Sequence, residues 1–125
     1  MKKIKILFGT LIAGSLLMIS CKKNQPSTLI EGNFSGNFHG LVDGNDTIIN
    51  SGYVVAVKRL DKSTVEVVGS LFSTFTPIVA NNGLNVELVG TYDGLYEFLY
   101  QGETEKLTFA YAHDGDSAVY VGYKQ

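Results

Sequence analysis

Four dipeptides, Asp43-Gly44, Asn82-Gly83, Asp93-Gly94 and Asp114-Gly115, constrain this chain more than any other feature. Asn-Gly and Asp-Gly suit two-residue hairpin turns of type I′, whose central residues need positive φ. "LDKS" at 60–63 and "GETE" at 102–105 are further polar breaks. From Asn82 onward the breaks recur roughly every eleven residues, the spacing of short strands in a barrel or sandwich. Between the breaks, side chains alternate with a period of two. "TVEVVGSL" sets Val65, Val67, Gly69 and Leu71 on one face, and "LNVELV" sets Leu84, Val86 and Leu88 on one face. "KLTFAY" does the same with Leu107, Phe109 and Tyr111, "AVYVGY" with Val119, Val121 and Tyr123, and "NFSGNFHG" with Phe34, Gly36, Phe38 and Gly40. Such alternation marks half-buried antiparallel strands, and no window shows comparable helical periodicity.

The pattern predicts about eight strands near 33–42, 47–59, 63–71, 75–80, 84–90, 95–101, 106–112 and 117–124. Nearly every connection is a hairpin, so the expected fold is all-β, an antiparallel up-and-down barrel that closes to remove its edges. A β-sandwich is the second choice. Glycines 36, 40, 69 and 90 suit bends at barrel corners. The uneven stretch is "SLFSTFTPIVAN" at 70–81, which holds Pro77 and no clear turn. It reads as an edge strand first and as a lid across the barrel mouth second, because proline cannot donate to a sheet ladder.

The chain has 125 residues and a formal net charge of −2, but its charges are unevenly placed. Lys2, Lys3 and Lys5 precede a fourteen-residue uncharged run, Ile6 to Ile19, and then Ser20 and the single cysteine, Cys21. The run is shorter than the about 20 residues a membrane span needs, and it suits a secretory signal. Beyond residue 20 there are seven bases against twelve acids, with no basic stripe, which argues against nucleic-acid binding.

Leu17, Met18, Ile19, Ser20 and Cys21 resemble the signal of bacterial lipoproteins, in which cleavage precedes a cysteine that carries diacylglycerol. Met18 departs from the commoner leucine, and both this relaxed box and the following "CKKNQ" resemble Bacteroidetes forms. The resemblance implies residues 1–20 as signal peptide, 21–31 as lipidated cysteine and polar tether, and 32–125 as the folded domain. Each buried CH₂ of the lipid would add about 0.8 kcal/mol of membrane affinity. Lys22 and Lys23 differ from the aspartate of inner-membrane retention, and an acidic export stretch is missing. The resemblance therefore implies lipid anchoring in the cell envelope, at the outer membrane facing the periplasm, with the cell surface as the alternative.

The domain is also similar to the calycin-like domains of Bacteroidetes lipoproteins, which are small lipocalin-related barrels. The similarity rests on Cys21, the opening "GNFSGNFHG", the hairpin ladder and the closing "AVYVGYK" with Gly122 and Lys124. Gly32-Asn33-Phe34 or Gly36-Asn37-Phe38 stands where lipocalins carry Gly-x-Trp, and Lys124 stands where an arginine packs on that tryptophan. The chain has no tryptophan.

Candidate chemistry is sparse. His39 is read on an outward strand face and His113 in the turn "AHDGDS", with no G-x-S-x-G elbow beside either. "DGND" and "HDGD" do not match a calcium loop, and Asp or Asn before Gly forms turns first, so no metal or cofactor is expected. Tyr96, Phe98 and Tyr100 are read as one face of a strand, with Phe109 and Tyr111 on the next. They serve as core packing or as an aromatic-lined site for an apolar ligand. Asp46-Thr47-Ile48 and Asp116-Ser117-Ala118 resemble the Bacteroidetes O-glycosylation motif, with Thr47 and Ser117 as acceptors or simply as turn caps. The expectation is a non-enzymatic, lipid-anchored envelope barrel that binds a small apolar molecule or a partner protein. The alternative is an accessory lipoprotein with a filled core.

Overall fold

The turn residues place the strands. In the computed structural model, which describes residues 24–125, Asp43 and Gly44 take φ of 52° and 80°, and Asp114 and Gly115 take 50° and 84°. Both pairs are therefore left-handed at both central positions, as type I′ requires. The other two dipeptides differ. Asn82 pairs with Asn85, so the loop is Gly83-Leu84, one residue later than expected, with glycine first at φ 62°. At 93–94 only Gly94 is left-handed, and Leu95 N donates to Tyr92 O at 2.9 Å.

The elements are α1 (Pro26–Ile30), β1 (Gly32–Val42), β2 (Asn45–Arg59), β3 (Val65–Gly69), β4 (Phe72–Phe75), β5 (Val79–Asn82), β6 (Asn85–Leu88), β7 (Leu95–Gln101), β8 (Lys106–His113) and β9 (Asp116–Lys124). The nine strands form one curled antiparallel sheet in the order β4-β3-β2-β1-β9-β8-β7-β6-β5. The chain is thus an all-β meander whose first and last strands pair in the middle of the order. The count exceeds eight because the 70–81 stretch contributes two strands.

That stretch is the seam. Phe75 pairs with Val67, and the isolated bridge Thr64–Ile78 continues the same register. Val79 N then donates to Ser63 O at 2.8 Å, while Val79 itself pairs with Leu88 of β6. One length of chain therefore bonds to β3 through its first half and to β6 through its second. Pro77 sits at the handover, where only its carbonyl is used, accepting from Val65 N at 3.3 Å. The segment is a seated strand, and the lid alternative is set aside.

The signal run, Cys21 and the start of the tether lie outside the described residues. The later tether is not free chain. Pro26–Ile30 is a short helix with Ser27 and Ile30 fully buried, and it covers the barrel end where β1 begins. Its Ser27 N donates to Lys62 O at 3.3 Å. The far end is closed by the β3–β4 turn, where Leu71 N donates to the Tyr53 hydroxyl at 2.9 Å.

Candidate functional site

The interior is built from inward-facing aromatics of five strands, β1, β4, β7, β8 and β9. Phe34, Phe38, Phe75, Phe98, Phe109 and Tyr120 are buried, and their rings meet edge to face or stacked. Phe109 lies 5.3 Å from Phe75, 5.3 Å from Tyr120 and 5.4 Å from Phe72, centroid to centroid. Tyr120 donates its hydroxyl to Tyr53 O at 3.0 Å, and burial pushes its pKa well above the ordinary phenol value. At the barrel mouth, beside the exposed His113, the space bounded by Phe72, Tyr111, His113 and Ser117 measures about 10 Å³, room for one water at most.

Four of the five expected site aromatics, Phe98, Tyr100, Phe109 and Tyr111, belong to this packing. Tyr96 does not. A register shift between Leu95 and Glu97 inserts it as an extra residue, so it turns outward and is 80% exposed. Leu95 takes the inward place instead. The face shared by Tyr96, Phe98 and Tyr100 is thereby corrected to Leu95, Phe98 and Tyr100.

At the α1 end, Lys124 crosses the barrel mouth. Its Nζ donates to Leu29 O at 2.8 Å and lies 5.8 Å from the Phe34 ring and 5.1 Å from the Tyr100 ring. Burial lowers its pKa, while Glu105 and Glu31 act to raise it. Gly32, at φ 148°, passes beneath the lysine stem, and a Cβ there would stand 3.2 Å from Lys124 Cε. Gly32-Asn33-Phe34, not Gly36-Asn37-Phe38, is therefore the glycine-aromatic pair beneath the cation. Arg59 joins the same end, donating from Nη2 to Gln25 Oε1 at 2.8 Å.

At the opposite end, His39 Nε2 meets Asp46 Oδ1 at 2.9 Å and His113 Nε2 meets Asp114 Oδ2 at 3.1 Å. Both pairs are exposed. Among the described residues neither histidine is hydrogen-bonded to a hydroxyl, and no three His, Asp or Glu side chains converge. Thr47 Oγ1 donates to Asn45 O at 3.2 Å, and Ser117 Oγ accepts from Leu41 N at 3.0 Å. Both half-buried hydroxyls serve the hairpin backbone around them.

The outer wall carries a feature that alternation alone leaves ambiguous. On β9 both faces are apolar, and it is Ala118, Tyr120 and Gly122 that face in. Val119, Val121 and Tyr123 face out, and with Ile48 and Val54 of β2 they flank the outward Ser35, Asn37 and His39 of β1. The result is an open groove of about 200 Å³ lined by Asn37, His39, Ile48, Val119 and Val121, among others. Comparison with known protein families, with curated proteins and with solved structures returns no match.

Proposed function

We propose that this chain is a lipid-anchored, non-enzymatic lipoprotein of the cell envelope that works through contacts on its outer wall. The observation that carries the reading is the packed interior: rings from β1, β4, β7, β8 and β9 meet one another across the barrel axis, where a carrier would keep a cavity of about 300 Å³ or more. The interior weighs against the apolar-carrier alternative and leaves the wall as the place for a partner. The calycin-like resemblance gains support from Lys124, whose ammonium covers Phe34 as the resemblance implies. With an anchor on Cys21, the α1 end would face the membrane and the 43–44 and 114–115 hairpins would point away. An outer-membrane position facing the periplasm belongs to the same proposal.

The test labels growing cells with radioactive palmitate and extracts the purified protein with organic solvent. The expected result is label on the native chain, none on Cys21→Ser, and no stoichiometric non-covalent molecule in the extract. Label retained by Cys21→Ser would overturn the anchor. A one-to-one apolar molecule in the extract would overturn the filled-core reading.

A further inference from the structure

Charge is divided between the two ends of the barrel. Residues 24–125 hold five basic side chains, Lys58, Arg59, Lys62, Lys106 and Lys124, and all five stand at the α1 end, where β2 and β9 finish and β8 begins. Among the described residues none of them is ion-paired. The opposite end holds five aspartates, Asp43, Asp46, Asp93, Asp114 and Asp116, and no lysine or arginine. The α1 end also has acids, Glu31, Asp61, Glu66, Glu103 and Glu105, so it is balanced where the other end is negative. One of these is engaged by its own loop: Asp61 Oδ1 accepts from Ser63 N at 2.9 Å and Thr64 N at 2.8 Å. The same end exposes leucine. Leu60, opening the 60–63 loop, is 52% exposed, and Leu84, in the 83–84 hairpin, is 63% exposed. The two loops are neighbours on the rim, because Val79 N donates to Ser63 O across the seam.

We propose that the α1 end docks on a bilayer with anionic headgroups, Leu60 and Leu84 entering the boundary of the acyl chains and Lys58, Lys62 and Lys106 meeting the phosphates. A bilayer offers anionic phosphate above hydrocarbon, and apolar tips flanked by bases match both layers. Charge also selects the end. Turned over, the molecule would bring five aspartates within a Debye length, about 8 Å at physiological salt, of the same headgroups. The chain enters at the docking end as well: Asn81 Nδ2 donates to Asn24 O at 2.6 Å, and Cys21 is three residues earlier in the sequence. Membrane proximity rests on the anchor proposed above; the division of charge and the exposed leucines do not.

The chain has no tryptophan, so a single introduced indole reports its own depth. The full chain, purified from membranes, is reconstituted into vesicles of phosphatidylcholine and phosphatidylglycerol whose acyl chains are brominated near the headgroup. Leu84→Trp and Leu60→Trp are expected to lose fluorescence at least twofold relative to unbrominated vesicles. Leu41→Trp, at the opposite end, and Val119→Trp, on the wall, are expected to keep theirs. Lys58→Glu combined with Lys62→Glu, both at exposed positions, is expected to cut the quenching at position 84 at least twofold. The palmitate label, read on the same preparation, reports the anchor separately. A labelled chain unquenched at 84 and 60 refutes the docking alone, and an unlabelled chain quenched there refutes the anchor alone. No quenching at either leucine position, equal quenching at position 41 or 119, or quenching at 84 indifferent to the lysine changes would overturn the proposal.

Discussion

Phe75→Ala is the substitution that most directly examines how this barrel closes. Phe75 is fully buried on the seam strand, and its ring centroid lies 4.5 Å from Tyr111, 5.3 Å from Phe109, 5.9 Å from Phe72 and 6.2 Å from both Tyr92 and Phe98. Removing a buried phenylalanine ring costs about 3–5 kcal/mol in transfer and cavity terms. Five aromatic neighbours place this one at the upper end, since each such pair adds about 0.5–1.5 kcal/mol beyond area, not additively. A domain of this size holds about 5–15 kcal/mol in all. With a urea slope of about 1–3 kcal/mol per molar, the midpoint should fall by about 2 M or more. Thr74→Ala, exposed on the same strand, should stay within about 0.5 kcal/mol of the native protein. The assay is equilibrium urea unfolding followed by far-UV circular dichroism. A Phe75→Ala loss below about 1 kcal/mol would refute the seated strand and restore the lid.

Three further outcomes are expected. Tyr96→Ala should change stability by less than about 0.5 kcal/mol and Tyr100→Ala should cost about 3–5 kcal/mol, because the bulge exposes one ring and leaves the other 4% exposed; equal effects in thermal melts would refute the bulge. Ile30→Ala should cost about 2–3 kcal/mol and release hydrogen-exchange protection at the Ser27 and Glu31 amides, since this side chain is fully buried in the cap; a neutral result would return residues 26–30 to the tether. Melting temperature should fall as pH rises past about 10. Desolvation raises the pKa values of Tyr120, Tyr100 and Tyr111, so the unfolded chain loses those protons first and is favoured at alkaline pH. Lys124 opposes this, because its lowered pKa adds stability as pH climbs toward its unfolded value, 10.5, and nothing beyond it. Tyr120→Phe should flatten the alkaline decline in a pH series of melts, and an unchanged slope would refute the assignment.

The strands were legible because period-two alternation and Asp-Gly turns are local signals. Asp43-Gly44 and Asp114-Gly115 form the expected turns from their own backbone preference, and a hydrogen bond from Asp43 N to Asp116 Oδ1 ties the two hairpins together. Phe34, Phe38, Phe98, Phe109, Val65 and Val67 were legible as an inward set for the same reason, since each strand between turns has only two faces. Where both faces are apolar that reasoning stops. On β9 either set could face in, and the register with β1 settles it: Phe38 opposite Tyr120 buries one set and exposes Val119 and Val121. A one-residue bulge has no sequence signature of its own, so Tyr96 reads as core until its pairing with β8 is known. The helix at 26–30 is hidden likewise, because five residues with proline at the start and two adjacent apolar side chains, Leu29 and Ile30, show no period.

By itself, then, the sequence determined an all-β meander, the two Asp-Gly turns at 43–44 and 114–115, most of its core and the acidic balance of its surface, all properties of neighbouring residues or of composition. Only the tertiary structure decided which side of β9 meets solvent, that the Pro77 stretch carries the sheet from β3 to β6, that α1 and Lys124 cap one end, and which rings meet inside. Those outcomes depend on pairing between residues far apart in the chain, Phe34 with Lys124 and Thr64 with Ile78 among them, and on how much volume the rings occupy once the sheet has curled around them.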